Sequence, residues 1–379
     1  MFSSTAVLLT LMALGYASPI VYRQEASPFV FTNSNGLNFT QMNTTLPNVT
    51  IFATGGTIAG SSSSNTATTG YTAGALGILT LLDAVPEVLN ISNVAGVQIS
   101  NVGSPDVTSS ILVQIAHQIN NVVCNDPTMA GAVVTHGTDT LEETAFFLDA
   151  TVNCEKPVII VGAMRPATAI SADGPFNLLE AVSVAINPAA RNRGAMVVMN
   201  DRIVSAYYVT KTNANTMDTF KAYEQGNLGT LISNTPYFFY PPVTPTGKAA
   251  YDIRNVTAIP RVDILMSYQD MSNDTLYSAV SSGAKGIVIA GSGAGSTSSN
   301  FSLAMQDVIT MHGIPIIDST RVMSGEVSNS GFDPEDPSPI SSGFLNPYKS
   351  RVLLGILLAQ MRNVTEIAGA FNGSATFVG

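Results

Sequence analysis

The stretch "VTIFATGGTIAG" at residues 49–60 joins a β-branched apolar run to a glycine turn that carries a hydroxyl group. The run "VTIFA" is typical of a buried strand, and Gly55 and Gly56 suit positions with positive φ or a close approach of another backbone. In open α/β sheets, ligands bind at the carboxyl ends of the parallel strands. Thr57 therefore either caps the turn or faces a substrate.

The segment "AGAVVTHGTDTLEETAFFLDA" at residues 130–150 repeats this arrangement of strand, glycine turn, hydroxyl and helix. Asp139 or Thr140 can cap the helix, and the two glutamates that follow suit its positive N-terminal end. Thr138 precedes the cap, so we expect it to point out of the sheet edge. Two threonines at the ends of two parallel strands can flank one small ligand.

Strand and helix patterns alternate along the rest of the chain. Apolar runs such as "PVIIVGA", "GAMVVMN", "RVDILMSY", "GIVIA" and "GIPIIDS" read as buried strands. This alternation predicts an α/β fold in which mainly parallel sheets carry helices on both faces. A length of 379 residues favours two domains. We expect a larger N-terminal flavodoxin-like or Rossmann-like domain and a smaller C-terminal α/β domain.

Shifts in composition divide the chain into five parts. An apolar run at residues 6–14, followed by small residues, predicts a cleaved signal peptide that is too short to span a bilayer. A polar segment without periodicity follows it, and a proline-rich segment separates the two sets of strands. We predict a signal peptide at 1–17, a flexible leader or pro-segment at 18–46, a catalytic α/β domain at 47–235, a linker at 236–259 and a C-terminal α/β domain at 260–379.

Sequons and cysteines favour a secreted protein of the extracellular space, cell wall or periplasm. An oxidising route would let the two cysteines, Cys124 and Cys154, pair as a structural staple that adds about 3 to 4 kcal/mol in the chain-entropy model. N-x-[ST] sequons, which predict glycosylation, begin at Asn38, Asn43, Asn48, Asn90, Asn255, Asn273, Asn300, Asn363 and Asn372.

Charge and residue usage exclude several classes of function. The formal net charge is −10 and no basic cluster occurs, which argues against nucleic-acid binding. The three histidines are scattered and no Cys/His ligand spacing appears, so we expect neither a metal ion nor a cofactor. No apolar run is long enough to predict a membrane span. The remaining chemistry uses hydroxyls, carboxylates and lysine.

Six motifs between residues 53 and 213 carry a resemblance to one family that extends over residues 46–371: "ATGGTIAG", "THGTDTLEETAFFLD", "VGAMRP", "SADGPFNL", "VVMND" and "VTKTN". Together they resemble the type II, exported L-asparaginases of the bacterial and fungal asparaginase/glutaminase family. The resemblance implies hydrolysis of the side-chain amide of L-asparagine to L-aspartate and ammonia. It also implies a homotetramer with active sites at subunit interfaces, and a disulfide at the two cysteines.

The resemblance assigns roles to five catalytic candidates. Thr57 corresponds to the nucleophile, which forms an acyl-enzyme ester, and Tyr71 on the adjoining loop is the neighbour that accepts its proton. A threonine hydroxyl is a weak nucleophile without such a neighbour. Thr138, Asp139 and Lys211 form the second set, in which the lysine polarises Thr138. Which threonine attacks first is left open by the sequence.

Substrate recognition is where the chain departs from the family. Ser104 and Asp139 would hold the α-carboxylate and α-ammonium groups of the substrate. Pro105 stands where most members have a glutamine, and Ala294 in "GSGAGS" stands where several have an asparagine that reaches a neighbouring subunit. The acid donated by the neighbouring subunit has three alternatives: Glu326, Asp333 and Glu335.

Three other interpretations remain open at this point. The loop "GIVIAGSGAGS" with Asp318 about 20 residues later resembles part of a dinucleotide-binding fingerprint, although its third glycine is missing. A hydrolase could use His136 as its base, but no G-x-S-x-G elbow accompanies it. A glycosylated surface protein that keeps the fold without its activity is the non-enzymatic alternative.

Overall fold

A computed structural model describes residues 29–62, 64–66, 72–328, 332–333 and 338–373. The described residues form an α/β fold of two parts, a large mixed sheet with helices and a small parallel sheet. The strands are β1 (Phe31–Thr32), β2 (Asn38–Phe39), β3 (Asn48–Gly55), β4 (Asn93–Val102), β5 (Met129–Thr135), β6 (Val158–Val161), β7 (Ala195–Met199), β8 (Arg202–Ser205), β9 (Thr210–Lys211), β10 (Phe220–Lys221), β11 (Gly229–Ile232), β12 (Thr235–Phe238), β13 (Val262–Met266), β14 (Gly286–Gly291), β15 (Ile316–Thr320) and β16 (Ile340–Ser341).

Helices connect most of the parallel strands. Several begin at a residue whose side chain accepts a hydrogen bond from the first turn, for example Ser298 and Asn346. The helices are α1 (Ile78–Asp83), α2 (Val88–Ile91), α3 (Ser109–Gln118), α4 (Leu141–Thr151), α5 (Gly174–Ala185), α6 (Asp274–Ser281), α7 (Ser299–His312), α8 (Pro347–Ala359) and α9 (Val364–Gly373).

The large sheet has the strand order β1-β2-β4-β3-β5-β6-β7-β8-β11-β12. Its centre, β4-β3-β5-β6-β7, is parallel throughout, while both edges are antiparallel. Numbered along the chain, the five central strands follow the order 2-1-3-4-5 of a flavodoxin-like sheet. The chain leaves β3 toward one edge and later returns to β5 on its other side. The carboxyl ends of β3 and β5 therefore form the topological switch point where such folds bind ligands.

The small sheet has the order β13-β14-β15-β16, and all of its strand pairs are parallel. It packs against α8, whose buried leucines also belong to the core of the large sheet. The prediction of two α/β units, the first of them flavodoxin-like, is thus confirmed, with antiparallel edges that the apolar patterns alone do not indicate.

The predicted leader is ordered where the structure describes it. The sequence predicts a flexible segment over 18–46, but β1 and β2 form a hairpin at the edge of the large sheet, and Phe39 pairs with Ala95 of β4. Leu37 and Phe39 are buried in the main core. The polar composition predicts flexibility, but burial of these two apolar side chains is enough to hold the two-residue strand β2 against the sheet.

The predicted linker also packs closely. The guanidinium of Arg193 donates to the carbonyls of Tyr240 and Pro241, and Lys248 forms a 2.5 Å ion pair with the buried Asp149. Earlier in the chain, the disulfide between Cys124 and Cys154 joins the end of the α3 region to the loop after α4, as predicted. Within the described ranges, no helix has the length and apolar character needed to cross a membrane.

Candidate active site

Two glycine turns meet at the switch point. A Cβ atom on Gly56 would lie 2.2 Å from the Cα atom of Gly137, and one on Gly137 would lie 3.0 Å from the Cα atom of Gly56. Such distances admit only hydrogen at these positions. Just before the turns, the Thr54 hydroxyl donates to the carbonyl of Thr135 at 2.8 Å, which ties β3 to β5. The loops that carry Thr57 and Thr138 are therefore in direct contact.

Thr57 opens a short 3₁₀ turn, Thr57–Ala59, and its side chain is buried. Gly56, with φ of 80°, makes the sharp exit from the strand. The returning chain is hydrogen-bonded onto this turn, because Gly74 N donates to Gly56 O at 3.0 Å and Leu76 N to Ala59 O at 2.9 Å. The backbone that presents Thr57 is therefore held on both sides.

Tyr71, the predicted proton acceptor, lies outside the described residues. Its neighbour Thr72 pairs with Ser61 through two backbone hydrogen bonds of 2.9 and 3.0 Å. Ser61 is four residues after Thr57. The chain thus re-enters the described structure close to the turn of the predicted nucleophile.

Ser104 lies at the end of β4, buried against the second threonine loop. Its hydroxyl accepts a hydrogen bond from Asp139 N at 3.2 Å, and its carbonyl accepts one from the Thr140 hydroxyl at 2.8 Å. A Cβ atom on Gly137 would lie 2.9 Å from its hydroxyl oxygen. Ser104 and Asp139, the two predicted substrate-binding residues, are therefore adjacent.

Lys211 completes the second set of candidates. Its Nζ donates to the Thr138 hydroxyl oxygen at 3.0 Å and to Asp139 Oδ1 at 2.7 Å. The Lys211 side chain is 15% exposed, whereas that of Asp139 is 66% exposed, so solvent screens the ion pair mainly from the carboxylate side. An ammonium group in contact with a hydroxyl oxygen stabilises negative charge on that oxygen, which is what a proton relay needs.

Glu142 contacts the backbone of Lys211. The sequence suggests this residue only as a favourable charge in the first turn of a helix. Its carboxylate is buried, and Oε1 accepts a hydrogen bond from Lys211 N at 3.2 Å. Oε2 accepts one from Asn346 Nδ2 at 2.9 Å. No spacing rule in the sequence indicates this contact, because the partners lie 69 and 204 residues away.

A cavity of about 400 Å³ opens beside Lys211 and Asp139. Its other wall comes from the small sheet and α8, including Met266 and Tyr348. Neither Thr57 nor Ser104 lines this space. The cavity therefore adjoins the threonine site from the side of the C-terminal part.

His136 does not serve as a base for a surface hydroxyl. The residue is fully buried, and its Nδ1 lies 2.7 Å from the carbonyl of Gly137, so Nδ1 carries the proton. Nε2 then accepts from the Thr144 hydroxyl at 2.8 Å. Burial lowers the pKa of His136 to about 4, which keeps the ring neutral. Both nitrogens are occupied, and this geometry argues against the alternative hydrolase.

The loop "GSGAGS" at residues 291–296 closes on itself through paired backbone hydrogen bonds between Ser292 and Ser296. Ala294 is exposed at its tip. Asp318, the candidate ribose-binding acid, lies beneath Gly295, where an added Cβ would come within 3.2 Å of its Oδ2. Burial raises the pKa of Asp318 to about 7. A covered carboxyl group does not suit ribose binding, which disfavours the dinucleotide interpretation.

The remaining candidates lie at the edges of the site. Pro105 is exposed directly after Ser104. Of the three acids proposed for donation to a neighbouring subunit, Glu326 is half-buried and Asp333 is exposed. Glu335 lies outside the described residues. Among the described residues, no group of three or more His, Cys, Asp or Glu side chains forms a metal site.

Two family models match the chain over most of its length. Residues 48–244 match the family model Asparaginase, N-terminal, and residues 261–371 match the Glutaminase/Asparaginase C-terminal domain. The two matches together cover the small sheet and the large sheet except its edge strands β1 and β2, and they include the catalytic and substrate-binding candidates Thr57, Tyr71, Ser104, Thr138, Asp139 and Lys211.

Individual relatives of the chain are named L-asparaginases. A "Probable L-asparaginase 1" of Schizosaccharomyces pombe is 48% identical over 345 residues, which span 90% of this chain and 94% of the relative. "L-asparaginase 2" of Bacillus subtilis is 46% identical over 329 residues, with 86% of each chain covered. A crystal structure of a probable cytoplasmic L-asparaginase from Campylobacter jejuni is similar with a TM-score of 0.81 and 40% identity, covering 86% of this chain and 99% of that one.

The prediction that the chain is secreted is contradicted by the last of these relatives, which is a probable cytoplasmic L-asparaginase. The apolar run at residues 6–14 has no basic residue before it, whereas a typical secretory signal peptide has a positively charged segment at that place. The segment itself, residues 1–17, lies outside the described residues. The glycosylation prediction presupposes export and stays a prediction.

Proposed function

The chain belongs to the asparaginase family, and we propose on this basis that it hydrolyses the side-chain amide of L-asparagine to L-aspartate and ammonia. The observation that carries the proposal is the contact between the two threonine loops at the switch point, with Lys211 Nζ 3.0 Å from the Thr138 hydroxyl oxygen. This arrangement offers a hydroxyl nucleophile on one strand end and a charged proton relay on the other.

We assign the first half-reaction to Thr57 as nucleophile. Its Oγ forms a bond to the amide carbon of asparagine while its proton passes to the phenolate oxygen of Tyr71, the neighbour that the family resemblance supplies. The carbon–nitrogen bond then breaks as the nitrogen takes a proton and leaves as ammonia. Lys211 supplies that proton through Thr138, because an ammonium that donates to a hydroxyl oxygen makes the hydroxyl a better proton donor.

The second half-reaction reverses the relay. Water attacks the aspartyl ester on Thr57 and gives its proton to Thr138, which passes one to the now neutral Lys211. Breaking the ester bond releases aspartate, and Tyr71 returns its proton to Thr57 and becomes a phenolate again. One amide bond and one water molecule are consumed, and aspartate and ammonia are formed, so no oxidant, metal or cofactor enters the balance.

Selection of an amino acid over a plain amide follows from Ser104 and Asp139. The Ser104 hydroxyl can donate to the α-carboxylate, and the largely exposed Asp139 carboxylate can pair with the α-ammonium group. An amide without these charges leaves both groups without a partner in the complex. Pro105, next to Ser104, removes an amide side chain that would add to this recognition.

Assembly and domain organisation are further parts of the proposal. We propose a homo-oligomer, a tetramer by family resemblance, in which the loop at 291–296 of one subunit completes the site of another. We also propose a catalytic domain at 47–235, a linker at 236–259 and a C-terminal domain at 260–379. The change of sheet between β12 and β13 supports this division. A fully active monomer, detected by sedimentation together with activity after dilution, would refute the shared site.

The test of the proposed function is ammonia release by Thr57→Val and Thr138→Val. Each change removes a reacting hydroxyl and keeps the β-branched shape, so we expect turnover to fall about 10³-fold or more while folding is retained. The chain offers matched controls on the same two strands. The hydroxyls of Thr50 and Thr135 are buried without a hydrogen-bond partner among the described residues, so Thr50→Val and Thr135→Val should keep native turnover. Near-normal turnover in Thr57→Val or Thr138→Val would refute the corresponding role.

A further inference from the structure

The position of Lys211 depends on few backbone contacts. It lies on β9, a strand of two residues that pairs, among the described residues, only with β10 and belongs to neither the large sheet nor the small sheet. The Thr138 loop, by contrast, follows β5 in the centre of the large sheet. Keeping Nζ at 3.0 Å from Thr138 therefore requires a contact that ties β9 to the threonine loop.

Glu142 provides that contact. It lies in the first turn of α4, four residues after Thr138, and its Oε1 accepts a hydrogen bond from Lys211 N at 3.2 Å. The residue is buried, and its other carboxylate oxygen accepts a hydrogen bond from Asn346. Glu142 thus fastens the backbone of Lys211 to the helix that the threonine loop begins.

Asn346 fixes Glu142 in turn. It caps α8, where its Oδ1 accepts a hydrogen bond from Lys349 N at 3.0 Å, so the orientation of its amide is determined. The amide nitrogen then points to Glu142 Oε2 at 2.9 Å and lies 3.4 Å from the Thr210 hydroxyl. Lys349 of the same helix donates to the carbonyls of Ala206 and Tyr207, on the segment that leads to β9.

We propose that Glu142 and Asn346 are positioning residues for hydrolysis, which hold the Lys211 backbone so that its ammonium keeps contact with Thr138. The inference rests on the proposed function. Through α8, the C-terminal part of the chain then stabilises the site of its own subunit. This role is separate from any contribution to the site of a neighbouring subunit.

The pair allows a swap of donor and acceptor. In Glu142→Gln, a single amide oxygen replaces two acceptors, so the new amide nitrogen faces either Asn346 Nδ2 or Lys211 N, and both of these are donors. The Asn346 amide cannot flip to relieve this without losing the cap. Asn346→Asp keeps the cap but places a second carboxylate against Glu142. The double variant, Glu142→Gln with Asn346→Asp, restores one donor and one acceptor. We expect each single change to lower kcat about 10- to 100-fold with a KM near native, and the double variant to recover most of kcat.

Glu143 supplies the matched control. Its carboxylate pairs with Arg351 of α8 at 2.6 Å, so Glu143→Gln breaks an ionic contact between the same two helices without touching Lys211. We expect this variant to lower the melting temperature and to keep native kcat. The melting temperature of every variant is measured beside its kcat. A loss of kcat without a matching loss of melting temperature then reports on the position of Lys211 and not on stability.

The experiment combines ammonia-release kinetics with hydrogen–deuterium exchange of the peptide that contains Lys211. We expect faster exchange of this peptide in Asn346→Asp and native exchange in the double variant. Three outcomes would overturn this inference and leave the proposed function standing. They are a native kcat in Asn346→Asp, no recovery of kcat in the double variant, and a kcat that falls in proportion to the melting temperature in all variants, including Glu143→Gln. A wild-type protein that releases no ammonia, with the exchange pattern as expected, would instead overturn the proposed function and with it the catalytic meaning of the contact.

Discussion

The two sheets both end in glycine-rich loops, yet only one of them gathers reactive groups. At the large sheet, the loops after β3 and β5 bring together Thr57, Thr138 and, from β9, Lys211. At the small sheet, the loop at 291–296 follows the buried strand β14 and presents Ala294 to solvent. The glycines alone therefore do not make a site.

Strand order explains the difference. In the large sheet, the chain moves from β3 to β4 on one side and then to β5 on the other, so the two crossovers diverge and leave a crevice. In the small sheet, the order β13-β14-β15-β16 runs in one direction without a reversal. Where the strand order reverses, the loops after two neighbouring strands can face one ligand. Where it does not reverse, a loop is better suited to contact the edge of a site or a neighbouring molecule.

Among changes to the glycine-rich loops of the two sheets, the largest effect is expected where the loops of the large sheet touch each other. Gly56→Ala would place a Cβ 2.2 Å from the Cα atom of Gly137 and push the threonine loops apart, so we expect kcat to fall by about 10²-fold or more. Gly36 is a control for the positive φ, because its φ of 78° is close to the 80° of Gly56 and, among the described residues, no atom outside its chain neighbours lies within 4 Å of an added Cβ. Gly36→Ala should keep native kcat. Equal losses in the two variants would mean that the loop contact is unimportant.

A smaller effect is expected where the two loops are proposed to share the substrate. Pro105→Gln adds an amide beside Ser104, and Ala294→Asn adds one on the loop of the small sheet. A hydrogen bond contributes about 0.5 to 1.5 kcal/mol, so each change should lower the KM for asparagine about two- to tenfold. Steady-state kinetics with asparagine and glutamine measure this. An unchanged KM in Ala294→Asn would remove the small-sheet loop from substrate binding.

No effect on the chemistry is expected from a buried acid that belongs to neither loop, Glu180. Glu180 on α5 is fully buried and accepts a hydrogen bond from Asp201 N; burial raises its pKa to about 8, from 4.5. Because the folded state prefers the protonated form, the stability it contributes is complete below about pH 4.5 and is lost as pH rises through about 8. Glu180→Gln should therefore raise the melting temperature at about pH 9 and change it little at about pH 4. The same change at both pH values would contradict the assigned protonation state.

Local patterns in the sequence predict much of the fold. Continuous β-branched runs such as "VTIFA" identify the central strands, and glycine turns followed by hydroxyls place Thr57 and Thr138 at strand ends. The pairing of Cys124 with Cys154 follows from there being only two cysteines. These features are readable because each depends on a few adjacent residues.

Features that depend on distant contacts could not be predicted in this way. The hydrogen bonds of Glu142 join three segments of the chain, and a glutamate in a first helical turn is ordinary in sequence. The hairpin of β1 and β2 lies in a polar segment, where burial of Leu37 and Phe39 depends on the edge strand β4. Both cases show that packing against another segment overrides local composition.

The central claim is that the threonine pair at the switch point hydrolyses asparagine through an ester on Thr57. The most direct measurement mixes the full chain with L-asparagine, follows ammonia release, and quenches the reaction in acid for mass spectrometry of the digested protein. The account predicts one ammonia per asparagine consumed and a mass increase of one aspartyl group on the peptide that contains Thr57. Absence of ammonia, or an aspartyl group attached only to a peptide without Thr57, would contradict it.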